Sequence, residues 1–184
     1  MKFSELHDRI WSLLSEGVER ASSPFHTPAL ATVGEDGPEV RTVVLRIADA
    51  ERRQISCHTD WRSPKRRQVE QGNRVCWLFY DRDRKVQLTA WGQTAFHHVT
   101  DDARKRWEAS PPRSHSCYST LVAPGTPVPE SPTAPRESDV GFDNFAILLC
   151  TVDSIDWLFL QAAGHQRAQL QWRKGTWKAG WVAP

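Results

Sequence analysis

The feature that most constrains this chain is a succession of short apolar runs, rich in β-branched residues, with only turn-like segments between most of them. Such runs are typical of β-strands, and short linkers that contain Gly, Asp or Pro are typical of hairpins. Helical patterns do not alternate regularly with these runs, and no G-x-G-x-x-G sequence occurs. The pattern predicts a mainly β fold, an antiparallel barrel with peripheral helices, and excludes a dinucleotide-binding α/β domain.

Strands and helices can be placed along the chain from these patterns. Strand-like runs cover 29–33, 40–46, 53–59, 74–80 and 85–99, and four more follow as FAILLCTV, SIDWLFLQ, RAQLQW and TWKAGWV. Helical patterns cover 3–20, 63–72 (with Ser63 as N-cap and Pro64 at the first position) and 100–110 (with Thr100 as N-cap). We expect a single domain over 1–184, with an N-terminal helix within 1–22 and a long Pro-rich loop at 110–143.

Charge, hydropathy and cysteine spacing exclude several classes of protein. The formal net charge is +2 and the isoelectric point is near 8.4, which does not favour a nucleic-acid-binding surface. No run reaches transmembrane length, and the N-terminus is too charged for a secretory signal. The four cysteines are far apart, which favours free thiols over disulfides or a zinc site. We therefore expect a cytoplasmic protein without a bound metal, membrane or nucleic-acid partner.

The run VRTVVLR at 40–46 carries an arginine near each end of a strand predicted to be buried. A guanidinium group is rarely buried without a partner because its desolvation is costly. Side chains alternate along a strand, so Arg41 and Arg46 are expected on opposite faces unless a bulge intervenes. The two arginines are therefore candidates for two separate binding roles.

A second basic cluster lies at SPKRR, which places Ser63, Lys65, Arg66 and Arg67 at the start of the short helix. A helix N-terminus with a hydroxyl and an ammonium group can hold a phosphate, although a solvated basic helix end is the plainer interpretation. Near the C-terminus, His165 and Arg167 share a strand face and form either a binding surface or an exposed strand end. We identify no nucleophile paired with a base, and therefore no catalytic side chain.

These pieces, in this order, resemble the pyridoxamine 5′-phosphate oxidase family of flavin mononucleotide (FMN)-binding split β-barrels. The resemblance covers about residues 28–184. It rests on RTVVLR, CHTDWRSPK, VQLTAWG, SIDWLFLQAAGHQR and the ending WKAGWVAP. It implies a Greek-key-like, antiparallel split barrel, FMN as the cofactor, and a homodimer with FMN at its two-fold interface.

The resemblance also implies a role for individual residues. Arg41 and Lys65 match the cations that hold the FMN phosphate, and Arg167 matches an arginine that reaches FMN from the other subunit. Val43 and Val44 match positions whose backbone runs beside the flavin ring. The full set of implied cofactor contacts is Arg41, Thr42, Val43, Val44, His58, Thr59, Ser63, Lys65, Gln87 and Arg167.

Departures from the family pattern concern the substrate and one FMN contact. Arg46, Ser114 and His165 match substrate-contacting positions, with Arg46 in place of a lysine. Ser110 and Ala163 stand where the family has arginines, and Arg106 stands where it has a tyrosine. The Q-S pair that contacts FMN falls near Ala123 and Pro124 and is lost.

Three functions remain open on the sequence. The first is an FMN-dependent oxidoreductase of an oxidase-related branch of the family, acting on an unidentified small molecule. The second is genuine pyridoxamine or pyridoxine 5′-phosphate oxidase activity, against which the missing arginines argue because a phosphate dianion needs cationic partners. The third is a flavin-binding or carrier protein without turnover, or a barrel that binds a deazaflavin or haem. The SPK segment favours a phosphate-terminated flavin.

Overall fold

The computed structural model describes residues 2–130 and 141–184, whose strands form one antiparallel sheet. The strands are β1 Ala29–Gly34, β2 Gly37–Thr42, β3 Leu45–Asp49, β4 Gln54–Asp60, β5 Arg74–Asp81, β6 Val86–His98, β7 Phe145–Phe159, β8 Gln166–Arg173 and β9 Thr176–Val182. The main order is β2-β1-β5-β6-β7-β4-β3, and β8 and β9 extend from β7.

The helices lie outside the sheet, as predicted. They are α1 Phe3–Glu19, α2 Lys65–Gly72, α3 Asp101–Glu108 and α4 Pro112–His115, with short 3-10 turns at Pro24–His26, Ser116–Tyr118 and Phe142–Asn144. Thr100 caps α3, because its hydroxyl accepts the Ala103 amide at 3.2 Å. The predicted capping role of Ser63 is wrong: α2 begins at Lys65, and the Ser63 hydroxyl accepts a side-chain donor instead. Of the predicted Pro-rich loop, residues 131–140 lie outside the described part.

The connection between β2 and β3 shows how the sheet is shaped. These strands stand at the two ends of the main strand order, yet only Val43 and Val44 join them. Three Cα steps from Thr42 to Leu45 reach at most about 11 Å, so the sheet must curl until its ends approach each other. In the described residues β2 pairs with β1 and β3 pairs with β4, but no ladder joins β2 to β3. The predicted split barrel is confirmed.

The interior of the barrel is apolar and is closed by α1. The fully buried side chains include Trp77, Phe79, Leu88, Ile155 and Trp157 on the strands, together with Leu6, Ile10 and Leu14 on α1. The α1 residues are at helical spacing, so one stripe of the helix faces the core and packs near β3. At about 25 cal/mol per Å² of apolar surface, burial of this kind is the main stabilising contribution.

Two strand predictions fail, and both failures concern how the barrel curves. VRTVVLR is not one buried strand: it supplies the end of β2, the two-residue crossing and the start of β3, and Val40 is 65% exposed on the edge strand β2. FAILLCTV and SIDWLFLQ are not two strands but the single strand β7. The first part of β7 pairs with β4, the last part pairs with β8, and β6 runs beside both.

The cysteines remain free thiols, as predicted. Cys57 and Cys150 are buried in the core, Cys76 is half-buried and Cys117 is exposed. Burial raises the pKa of Cys57 and of Cys150 to about 12, so both behave as small apolar side chains. No helix in residues 2–130 or 141–184 has the length and hydropathy needed to cross a membrane.

Candidate functional site

The end of β4 and the start of α2 place a lysine between two hydroxyl groups. Lys65 Nζ donates to Thr59 Oγ1 at 2.9 Å and to Ser63 Oγ at 3.0 Å. Burial lowers the pKa of Lys65. The nearby Asp60 carboxylate is engaged by Arg62 at 2.7 Å, and among the described residues no carboxylate pairs with Lys65. A partly desolvated ammonium without a counterion is suited to receive an anion.

Arg41 is held beside this lysine by a hydrogen-bonded network on the inner side of β1 and β2. Its Nη1 donates to the Leu30 carbonyl at 3.3 Å and to the Thr32 hydroxyl. Its Nη2 donates to Glu39 Oε2 at 3.1 Å and to Gln68 Oε1 at 3.3 Å. Gln68 also donates to Glu39 Oε1 at 2.6 Å. A guanidinium group has five N–H donors, and this network leaves Nε as the one without a described protein partner.

The charges of Arg41 and Lys65 act on the same region. The positive charge of Arg41 contributes to the lowered pKa of Lys65, after the larger effect of burial. The same two charges counteract part of the burial effect on Cys57, which lies on β4 between them. Two like charges that act on the same region, with no described counterion on Lys65, are suited to an anion. We call Thr59, Ser63, Lys65 and Arg41 the phosphate pocket.

The predicted flavin-side residues lie where the barrel is split. Thr42 ends β2, and Val43 and Val44 cross from β2 to β3. The Val43 amide donates to the Pro28 carbonyl at 3.0 Å, which ties the crossing to the segment before β1. The crossing leads from the Arg41 end of the run to Arg46 on β3. A ligand lying along it can therefore contact the phosphate pocket and the neighbourhood of Arg46.

Arg46 lies at a small cleft that also contains two other predicted residues, His58 and Ser114. The cavity measures about 40 Å³, and its aromatic walls are Trp107, Tyr118 and Phe145. His58 packs edge-on against Phe145, with ring centroids 4.8 Å apart. We call this site the aromatic cleft. It gathers the predicted substrate residues Arg46 and Ser114, whereas the third, His165, lies elsewhere.

Two titratable groups of the aromatic cleft, His58 and Tyr118, are neutral near pH 7. Burial, with a smaller effect of the Arg46 and Arg106 charges, lowers the pKa of His58 to about 4. Burial also raises the pKa of Tyr118 far above its ordinary value. His58 is therefore a neutral imidazole and Tyr118 a neutral phenol, and Arg46 adds a positive charge at the cleft.

Gln87, Arg167 and His165 lie on a different surface. Gln87 on β6 lies opposite Leu158 on β7, and Leu158 lies opposite Arg167 on β8. Gln87, Leu158 and Arg167 therefore form one row on the outer face of the sheet. Arg167 pairs with Asp156 at 2.9 Å. His165 and Arg167 line a cavity of about 390 Å³ with Trp181. Arg41 lies in the inward-facing row that includes Leu30 and Trp77, so one protomer does not join these residues to the phosphate pocket.

A wider cavity of about 620 Å³ lies beside α3 on the outer face of β3, β4 and β7. It contains none of the predicted site residues. Several of its charged groups already have partners: Arg52 pairs with Asp49 at 3.1 Å, and His97 lies 3.8 Å from Asp102. Size alone therefore does not identify the functional site in this fold.

Several residues that hold or surround the predicted site residues were not predicted from the sequence. Thr32, Glu39 and Gln68 hold Arg41, although they are separated from one another in sequence. Tyr118 and Phe145 come from two sides of the Pro-rich segment and meet with ring centroids 5.1 Å apart. A signal for Glu39 was available, because residues two apart on a strand share a face. The contributions of Gln68 and Tyr118 depend on tertiary contacts and have no local signal.

The phosphate pocket fits the phosphate of FMN. Lys65, Ser63 and Thr59 provide charge and hydroxyl groups, Arg41 adds a second cation, and the adjoining crossing at Val43 and Val44 offers a route for the ring. The fit is incomplete in one respect, since Glu39 already accepts a hydrogen bond from Arg41.

Comparison with known proteins agrees with this fit. A sequence model described as "Pyridoxamine 5'-phosphate oxidase, FMN-binding domain" matches residues 8–98. No curated protein sequence matches the chain. The fold resembles a pyridoxamine 5′-phosphate oxidase-related, FMN-binding protein from Nostoc punctiforme (TM-score 0.76, 22% identity, 96% of each chain covered).

Other solved structures share the fold at lower identity. PhzG from Burkholderia lata has a TM-score of 0.75 at 18% identity, over 100% of this chain and 93% of PhzG. General stress protein 26 from Bacillus anthracis has a TM-score of 0.52 at 16% identity, over 81% of this chain and 93% of that protein. At these identities the likeness concerns the fold and not the activity. The match of residues 8–98 to the FMN-binding domain model, together with the split-barrel fold, makes this chain similar to the FMN-binding, pyridoxamine 5′-phosphate oxidase-like family, and the cofactor of the matched domain is FMN.

Proposed function

We propose that this protein is an FMN-dependent oxidoreductase that acts on a small organic molecule. The observation that carries the proposal is the partly buried ammonium group of Lys65, which contacts two hydroxyl groups and no described carboxylate. An unneutralised buried cation is unfavourable unless a ligand supplies the missing charge. FMN, when bound, supplies hydride-transfer chemistry that no side chain of the chain can perform.

The chain's own residues bind and orient the cofactor. Lys65 and Arg41 neutralise the phosphate, and Ser63 and Thr59 donate to its oxygens once Lys65 turns towards it. Val43 and Val44 present backbone groups beside the ring. These residues come from two parts of the chain: Arg41 lies on β2, whereas Thr59 and Lys65 lie at the end of β4 and the start of α2.

We further propose a homodimer with FMN at the interface. Gln87 and Arg167 lie on the outer sheet face of one protomer, away from its own phosphate pocket. A second copy can present its Arg167 to the flavin across a two-fold axis. Free thiols support a cytoplasmic, reducing location for this assembly.

Pyridoxamine 5′-phosphate oxidase activity is the less favoured function. Arg46 is the charged group that lines the aromatic cleft, and Ser110 stands there where the family has an arginine. A phosphate dianion at this site would have Arg46 as a cationic partner but would lack the further arginine of the family. We expect no formation of pyridoxal 5′-phosphate above background, and a robust rate in a direct assay would reverse this ranking.

The FMN proposal is tested by titrating the purified apoprotein with FMN and following flavin fluorescence. We expect stoichiometric binding, with Lys65→Met weakening it at least about tenfold because a charge-assisted phosphate contact is lost. Lys178→Met, which removes an exposed lysine on β9, is the matched control. No uptake of FMN by the folded wild-type protein would refute the proposal.

Turnover separates an oxidoreductase from a flavin carrier. The FMN-loaded protein should be reduced by an organic donor under anaerobic conditions, and its flavin absorbance should recover when an acceptor is admitted. Mass spectrometry of the released ligand distinguishes FMN from a deazaflavin or haem. Tight FMN binding with no reduction by any member of a broad donor panel would favour the carrier.

A further inference from the structure

The aromatic cleft offers hydrogen-bond donors without protein partners. In the described part of the chain, the Arg46 guanidinium makes no hydrogen bond or ion pair, and the Ser114 and Tyr118 hydroxyls make no side-chain hydrogen bond. All three residues line the same cavity. Because these donors converge on one cavity and have no described protein acceptor, they are available to an acceptor group of a ligand.

The charge of the cleft points to an anion with a single charge. None of the described residues that line it is acidic, and Arg46 is the one arginine or lysine among them. Arg106 on α3 adds a positive potential that reaches His58 from outside the cleft. A phosphate monoester carries a charge between about −1.5 and −2 at pH 7, more than one guanidinium group neutralises.

The size of the cleft restricts the anionic group further. A cavity of about 40 Å³ is far smaller than the roughly 300 to 1,000 Å³ of a pocket that encloses a whole small-molecule ligand, so only the anionic end of a ligand fits inside it. A planar carboxylate enters such a space more easily than a tetrahedral phosphate with four oxygens. The cleft is walled by Trp107, Tyr118 and Phe145, so the part of the ligand next to the carboxylate meets aromatic surface.

We propose that the aromatic cleft is the recognition site for a carboxylate, so that the substrate class of this protein is a small aromatic or conjugated monocarboxylic acid. This inference rests on the proposed function, since it takes the cleft as the place where the substrate lies beside FMN. Arg46 binds the carboxylate through its guanidinium fork, and Ser114 and Tyr118 donate to the same group. The conjugated part of the acid extends from the cleft towards the split.

The test uses two probes that differ only in the anionic group. Benzoate and phenyl phosphate are titrated by calorimetry into the apoprotein and into the FMN-loaded protein. We expect benzoate to bind more tightly than phenyl phosphate, and Arg46→Gln to weaken benzoate binding by roughly tenfold or more. Arg82→Gln, which removes an exposed arginine in the turn between β5 and β6, should leave benzoate binding unchanged.

The possible outcomes separate this inference from the FMN proposal. FMN uptake combined with equal or tighter binding of phenyl phosphate, or with no effect of Arg46→Gln, would overturn the carboxylate site and leave the FMN proposal intact. Benzoate binding to a protein that takes up no FMN would support the site and refute the proposed function. Arg46 is exposed, and an unchanged thermal unfolding midpoint of Arg46→Gln confirms that the variant is folded.

Discussion

Glu39 competes with the proposed FMN phosphate for the guanidinium group of Arg41. Glu39 accepts a hydrogen bond from Arg41 at 3.1 Å, and its carboxylate lies close to the position proposed for the FMN phosphate. Glu39→Gln keeps the shape and an acceptor but removes the negative charge. We expect FMN to bind about two- to fivefold more tightly at low ionic strength, which is the range of a partly exposed charge interaction. Fluorescence titration measures this, and the gain should shrink as salt is added.

A matched control for Glu39→Gln is Glu35→Gln in the turn between β1 and β2. Glu35 is exposed, and its replacement changes the net charge by the same amount. FMN affinity should then stay close to that of the wild type. Weaker FMN binding by Glu39→Gln would mean that Glu39 holds Arg41 in a productive position, contrary to the competition proposed here.

His58 gives the folded state a predictable sensitivity to acid. Its pKa is lowered to about 4 by burial, from an unfolded value near 6.5. Between these values the unfolded chain binds the proton and the folded protein does not, so stability is complete above about pH 6.5 and falls as the pH drops towards 4. We expect this to cost about 2 kcal/mol of unfolding free energy by pH 4.5.

Urea denaturation of the wild type and of His58→Gln at pH 7 and pH 4.5 isolates this contribution. The other histidines are common to both proteins, so the difference between the two pH-dependent losses reports His58. The variant should lose about 2 kcal/mol less than the wild type over the same interval. Equal losses in both proteins would show that His58 titrates in the folded state near its ordinary pKa.

The site residues that sequence could identify are those with a local signal. Ser63 and Lys65 precede a short helix, and the structure brings their side chains to 3.0 Å from each other. Arg41 stands out as a charge among β-branched residues. The partners Thr32 and Gln68 carry no such signal, because their meeting depends on α2 packing against β1. The local sequence pattern therefore predicted the candidates for ligand binding, but it did not predict the hydrogen-bonded network that positions them.

At the scale of elements, local pattern predicted helices and hairpins well and strand continuity poorly. The polar residues Asp153 and Ser154 interrupt an apolar run and suggest a turn, yet β7 continues through them. The reason is that β7 itself is bulged: Trp91 and Gly92 of β6 face Ser154 and Val152, so Asp153 is an extra β7 residue without a partner in the β6 register. Its carboxylate instead accepts two hydrogen bonds from Arg74, each at 2.7 Å. A polar residue inside an apolar run is typical of a bulge as well as of a turn, so the β7 sequence alone does not distinguish the two.

The β7 bulge, which lies opposite Trp91 and Gly92 of β6, predicts which glycine cannot be replaced. A Cβ at Gly92 would overlap the Thr151 carbonyl oxygen and would lie 2.8 Å from Cys150 Sγ. Because the obstruction is backbone of the paired strand, Gly92→Ala should destabilise the fold by about 2 to 4 kcal/mol. A Cβ at Gly180 on β9 meets nothing within 4 Å, so Gly180→Ala should change stability by less than about 0.5 kcal/mol. Similar unfolding midpoints for the two variants would contradict this account of the bulge.

At the scale of the whole molecule, the outer sheet face is more apolar than a solvent-facing surface needs to be. Alternate residues of β5 point outward, and Leu78 and Tyr80 are 41% and 47% exposed. In the sheet register Leu78 lies opposite Ala29, and Val40, 65% exposed, lies opposite Ala31. Adjacent apolar side chains on one open face are typical of an interface. The face continues through Gln87 to Arg167, the residue proposed to reach the flavin of a second copy.

This continuity predicts that dimerisation and FMN binding fail together. Leu78→Glu places a charge within the apolar face without touching the phosphate pocket, and burying an unpaired carboxylate is costly. We expect the variant to sediment as a monomer and to bind FMN at least about tenfold more weakly, because Arg167 of a second copy no longer completes the site. Leu121→Glu is the control, since Leu121 is fully exposed outside the sheet and its variant should remain dimeric and bind FMN normally. A monomeric Leu78→Glu that retains full FMN affinity would show that one protomer holds the cofactor alone, and would remove the structural reason for placing FMN at an interface.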